Sequence, residues 1–138
     1  MVKEIWFNLP VKDIQKTKTF FTHLGFTFST ALGDSPVSAV MQMGTKNVIV
    51  MFFEVDMFKS FAQTEVTETQ KSSEILISFD AESPAEVDEM AKKAEEAGGI
   101  VFGKPSEIQG WMYGCGFSDL DGHRWNILHM DMSKMPKA

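Results

Sequence analysis

The sequence predicts an α+β protein built from two tandem βαβββ modules, whose curved mixed β-sheets border a cleft and carry their helices outside. Three observations carry this reading. Apolar residues alternate with period two in several short segments and with period 3.6 in two longer ones. The order strand, helix, three strands occurs twice, at a repeat of about 70 residues. The 138 residues make one domain and are too few for two that fold alone. The reading is therefore a single domain over 1–138, with module one at about 1–58, a linker at about 59–73 and module two at about 74–138.

The first strand spans Lys3 to Leu9, alternating around Ile5, Phe7 and Leu9. Asp13 suits a helix N-cap, Ile14, Thr17, Phe20, Phe21 and Leu24 share one helical face, and Gly25 ends the helix. Phe26 and Phe28 begin a second strand, and Gly33-Asp34-Ser35-Pro36 is turn chemistry. Ala39 to Met43 and Asn47 to Glu54 are two strands joined through Gly44-Thr45-Lys46. Lys59 to Ser73 is polar and weakly patterned, a connecting stretch with a short helix around Met57 to Phe61.

The order then restarts. A strand opens at Glu74 and alternates through Ile75, Ile77 and Phe79. Ser83-Pro84-Ala85-Glu86 is a capping box with proline at the first helical position. Val87, Met90, Ala91, Ala94 and Ala97 form the apolar stripe, stopped by Gly98-Gly99. Three strands follow, Ile100 to Phe102, Trp111 to Phe117 and Arg124 to Asp131, the last two joined by the turn Asp119-Leu120-Asp121-Gly122. Neither module covers both faces of its own sheet, and the cleft between them is the default ligand site.

Composition narrows the function. With 43% hydrophobic and 23% charged residues the chain is an ordinary globular protein, neither disordered nor fibrous. A net charge of −6 with scattered lysines argues against nucleic acid. No apolar run approaches the ~20 residues of a bilayer span, so no membrane partner is expected. The N-terminal MVKEIWFNLPV has no signal-peptide h-region and the lone Cys115 makes no internal disulfide, so the expected location is cytoplasmic. Twelve Phe, three Trp and ten Met suit a core, an apolar pocket or both.

Asn8-Leu9-Pro10-Val11-Lys12-Asp13, Phe20-Phe21 through Leu24-Gly25-Phe26, and Phe117-Ser118-Asp119-Leu120-Asp121-Gly122-His123 follow one another in the order and spacing of a known family. Through them the chain resembles the vicinal oxygen chelate superfamily, which includes glyoxalase I, bleomycin-resistance proteins, fosfomycin-resistance proteins and extradiol dioxygenases. It is most similar to the single-domain, glyoxalase-like bacterial members. The resemblance covers essentially the whole chain. It implies a homodimer and, in metal-dependent members, four ligands from the first and last strand of each module. At those positions stand Trp6, Met51, Glu74 and Asn126, where His, Gln or Glu are expected. Shifting the register of module one by two brings Asn8 and Phe53 instead, with no better ligands. Only Glu74 is a good hard-metal ligand, so the expectation is no metal and no other cofactor.

The candidate site residues follow. Glu74 is the catalytic candidate, a base if apolar neighbours raise its pKa and a solvated strand-end charge otherwise. Asn126 sits between Trp125 and Ile127 and must point to the opposite face, where it wants a polar partner. Trp6 and Met51 stand where the family places functional groups, and Asn8 shares a face with Trp6. Trp111 and Tyr113 follow Gly110, where related proteins close over their ligand. His23 suits the helix C-terminus, His123 is expected to be exposed in its turn, and His129 faces away from Asn126. The functional expectation is a protein that binds a small, partly apolar molecule, compatibly with a cation, as the bleomycin-resistance branch does. The alternative is a glyoxalase-like lyase or isomerase with a remodelled site using Glu74 as base or metal ligand.

Overall fold

The computed structural model describes residues 1–31 and 33–137. The chain forms two compact units, residues 1–68 and 69–138. In the first unit the order is β1 (Trp6–Val11), α1 (Ile14–His23), β2 (Thr27–Ser29), β3 (Ser38–Met43), β4 (Val48–Glu54) and α2 (Val55–Ala62). The second contains β5 (Leu76–Asp80), α3 (Pro84–Glu96), β6 (Ile100–Ile108), β7 (Met112–Ser118), β8 (Arg124–Met130) and a 3₁₀ turn, Met132–Lys134. Each unit has one four-stranded mixed sheet, ordered β1-β4-β3-β2 and β5-β8-β7-β6. The first strand of each runs parallel to the last, and the other pairs are antiparallel. This is the α+β, twice-repeated βαβββ architecture expected from the sequence. No helix among the described residues is long and apolar enough to cross a membrane.

The helices start and stop where local chemistry dictates. The Asp13 carboxylate accepts the Lys16 amide at 3.1 Å, and Gly25 closes α1 with φ +99°. The Ser83 hydroxyl accepts the Glu86 amide at 3.2 Å. The Glu86 carboxylate reaches back to the Glu82 amide, also at 3.2 Å, one residue before the usual capping-box partner. Ser83→Ala is expected to cost about 1 kcal/mol of stability, measured by urea unfolding. A loss below a few tenths would mean that Pro84 and the Glu86 bond set this helix start without the hydroxyl.

Each helix covers one face of its sheet. Phe21 of α1 stacks on Phe52 of β4 at 5.3 Å between centroids, over a core that includes Leu9, Val11, Ile14, Met41 and Val50. In the second unit Val87 and Ala91 of α3 close over Ala81, Cys115 and Ile127. Phe79 lies 6.4 Å from both Phe117 and Trp125 on that same side.

Several expectations change. β1 begins at Trp6 rather than Lys3, and β7 at Met112 rather than Trp111. β5 opens at Leu76, leaving Glu74 in an exposed bend before it. β6 runs to Ile108, far past Phe102, because it is an edge strand. Pro105 lacks an N–H that an edge strand need not donate, and register shifts around Gly103 absorb the misfit. The helix expected around Met57 to Phe61 is α2, and Phe61 packs edge-on against Phe53 at 5.2 Å. The polar stretch after it is partly anchored: the Thr69 hydroxyl donates to the Asp121 carbonyl, and the Gln70 amide to the Leu120 carbonyl.

His123, expected to be exposed, is buried. The turn folds inward around Asp119, whose Oδ1 accepts the amides of Asp121 and His123, each at 3.0 Å, and whose Oδ2 accepts the Trp125 indole N–H at 3.0 Å.

Candidate functional site

In each unit the sheet face turned away from α1 or α3 is the candidate surface. In the first, strand register sets Asn8 level with Met51 and Trp6 level with Ile49. Leu9, Val11, Val50 and Phe52 fill the helix side, so alternation sends Trp6, Asn8 and Met51 to the other. Trp6 is 53% exposed, Asn8 is exposed and Met51 is half-buried. Gly33 lies against this face: a Cβ there would meet Val40 at 2.6 Å and the Met51 methyl at 3.3 Å. Phe53, the other residue of the shifted register, is covered by Phe61.

In the second unit Asn126 is level with Ser78 on one side and Gly116 on the other. Trp125 and Ile127 are fully buried under α3, so Asn126 points to the open face, as its position between them requires. Two residues that sequence reasoning did not single out join it. A Cβ on Gly116 would stand 2.5 Å from the Phe102 ring and 3.3 Å from Asn126 Oδ1, so Phe102 lies over Gly116 beside the carboxamide. The Arg124 guanidinium sits 4.3 Å from the Phe102 ring centroid. A fixed cation on this face disfavours the cationic ligand that the acidic composition allowed. The period-two spacing of Arg124 and Asn126 was the available signal; the return of Phe102 over Gly116 had none.

The helix caps align the two modules. Counting back equally from Asp13 and Ser83 pairs Asn8 with Ser78, Trp6 with Leu76 and Glu4 with Glu74. Glu74 therefore does not occupy the counterpart of Trp6. It is exposed, in the bend before β5.

Trp111 and Tyr113 lie elsewhere. Along β7, Tyr113, Cys115 and Phe117 face α3, while Gly114 and Gly116 share the face of Asn126. The Tyr113 hydroxyl donates to Asp88 Oδ1 of α3 at 2.6 Å, which raises the phenol's pKa. Trp111 precedes the strand, and both residues line a cavity of about 300 Å³ at that end of the sheet. His129 faces the helix side too, its Nδ1 3.1 Å from the Ala81 carbonyl. Burial pushes the Cys115 thiol up to about 11, which makes it a poor nucleophile.

The family model described as Glyoxalase/Bleomycin resistance protein/Dioxygenase superfamily matches residues 5–127. The chain belongs to this superfamily. A hypothetical protein from S. aureus is similar over 94% of this chain and 95% of its own, at 33% identity and a TM-score of 0.83. A glyoxalase/bleomycin resistance protein/dioxygenase family enzyme from Burkholderia phytofirmans PsJN covers 91% of this chain and 96% of its own, at 20% identity and a TM-score of 0.77. The genomically encoded fosfomycin resistance protein FosX from Listeria monocytogenes, complexed with Mn(II) and sulfate, covers 96% of this chain and 94% of its own, at 18% identity and a TM-score of 0.69. The last two share the fold. Comparison with curated proteins finds no match.

The superfamily's ligand positions put the metal to a chemical test. The open faces offer an indole at Trp6, an isobutyl group at its counterpart Leu76, a thioether at Met51 and a carboxamide at Asn126. With the carboxamide of Asn8 added, neither sheet's open face brings together at these positions the imidazoles and carboxylates that a Mn²⁺, Zn²⁺, Ni²⁺ or Fe²⁺ site uses. The residues do not fit that metal.

Proposed function

We propose that this glyoxalase/bleomycin-resistance-type protein binds a small organic molecule on the open faces of its sheets and does so without the divalent metal of its metal-dependent relatives. One observation carries the reading: the open faces present indole, thioether and carboxamide groups where metal chemistry needs imidazoles and carboxylates. On the first sheet Trp6 and Met51 supply polarizable apolar contact and Asn8 a directed hydrogen bond; on the second sheet Asn126 supplies the directed hydrogen bond. Arg124, held over Phe102, favours a neutral or anionic ligand. Glu74 has no part in this reading.

Metal titration of chelator-treated protein tests it. Mn²⁺, Zn²⁺, Ni²⁺, Co²⁺ and Fe²⁺ are each expected to leave the melting temperature unchanged. A ligand of the native state at 100 times its Kd adds about 2.7 kcal/mol, a shift of several degrees for a domain of this size. A saturable shift of that order with any of these metals, abolished by Asn126→Ala, would overturn the proposal.

A further inference from the structure

The cavity beside Trp111 stands apart from the open face of its own sheet and has a chemistry of its own. It forms where β7 begins, β8 ends and α3 starts, and its volume of about 300 Å³ is at the lower end for small-ligand pockets. Gln109 and Gly110 take positive φ of 54° and 79°, which turns the chain and sets Trp111 at the rim. The Asp131 amide then donates to the Trp111 carbonyl at 2.8 Å, which ties the backbones of the two residues together.

The polar groups of the wall are mostly acceptors. Tyr113 gives its hydroxyl proton to Asp88, so its oxygen is left to accept. The Ala81 carbonyl can only accept, so the Nδ1 of His129 facing it carries a proton. Asp131 Oδ1 takes both the amide and the hydroxyl of Ser133, at 3.1 and 2.6 Å, which holds this carboxyl below the usual range. Its Oδ2 lies 3.9 Å from the exposed Lys134 ammonium, and His129 also acts on this carboxylate electrostatically. Glu107 adds a second carboxylate to the lining. Aromatic walls with carboxylate and lone-pair acceptors complement an ammonium ion on an aromatic body, which meets ring faces and acceptors together. An anion would meet two carboxylates against the single ammonium of Lys134.

We propose that this cavity is a second binding site, taking a compact aromatic amine as its ammonium ion, with the ring against Trp111 and the charge on Asp131 Oδ2 in place of Lys134. It is independent of what the open faces bind.

The probe is tyramine, titrated into the full chain and followed by ¹H–¹⁵N NMR at the Trp111 indole and Asp131 amide. The neutral 4-ethylphenol and the anionic 4-hydroxyphenylacetate are titrated alongside. Tyramine is expected to shift both signals saturably, more tightly than the neutral phenol, with no saturation by the acid. Trp111→Ala and Asp131→Asn are each expected to weaken tyramine by about tenfold, and Lys134→Ala to tighten it. Absence of saturable shifts with tyramine would overturn the proposal, as would equal binding of the three compounds. Should Asp131→Asn disturb the 3₁₀ turn it caps, the comparison of the three compounds and the Lys134→Ala variant still decide.

Discussion

Replacing Asp119 by alanine is expected to lower the unfolding free energy by about 3 kcal/mol and the melting temperature by about 10 °C. The carboxylate is 6% exposed and accepts three N–H groups, from Asp121, His123 and the Trp125 indole. Removing it strands those donors in a buried turn, at about 1–3 kcal/mol each before any relaxation. Relief of the cost of burying a charge offsets part of the loss. Asp119→Asn is expected to lose less, because the amide keeps one acceptor oxygen but presents a donor to the indole N–H.

The pH dependence has a definite sign. Burial raises the Asp119 pKa, against the stabilising His123 and the indole hydrogen bond. Between the unfolded and the raised folded pKa the native state holds a proton that the unfolded chain has released. The stability this group contributes is therefore complete below the ordinary carboxylate range and declines as pH rises through the folded value. The advantage of the wild type over Asp119→Asn is expected to be larger at about pH 4 than at about pH 7 in urea unfolding. An advantage that grew towards neutrality would show that the hydrogen bonds, not burial, dominate the carboxylate.

Phe52→Ala is expected to cost about 3–5 kcal/mol. Phe52 is fully buried at the middle of β4, stacked on Phe21 and 6.3 Å from the Phe28 ring. Truncation removes the transfer energy of the ring and opens a cavity between α1 and the sheet. Phe52→Leu retains most of that volume and is expected to cost less than half as much. Phe53, its neighbour in sequence, is the internal control. It points to the open face against Phe61, is half-buried, and Phe53→Ala is expected to cost about 1 kcal/mol. Equal losses at the two positions would contradict the register of β4.

What could be read from the sequence divides along the range of the interactions. Asp13, Ser83, Gly25 and Gly98 mark their helix ends through bonds and dihedrals spanning a few residues, so each was legible where it stood. The placement of Asn126 opposite Trp125 and Ile127 follows from alternation alone. The sequence reading ended this strand at Phe102, and only the strand order makes β6 an edge that tolerates Pro105 and runs on to Ile108. Glu74 looked like a strand opening because Ile75 follows it, but the pairing of β5 with β8 starts at Leu76. Trp111 and Tyr113 lay near the expected ligand by resemblance, whereas Tyr113 faces α3 and bonds Asp88, twenty-five residues before it in sequence.

The sequence by itself determined the two modules, their helix limits and the family. Each of these depends on residue identity, short-range geometry or period. Tertiary structure alone decided the burial of His123 around Asp119, the stacking of Arg124 on Phe102 beside Asn126, and the cavity that joins Trp111 to Asp131. These depend on contacts between strands and loops whose partners are separated in the chain, and the cost of burying a polar or charged group is set by the partner that folding brings to it.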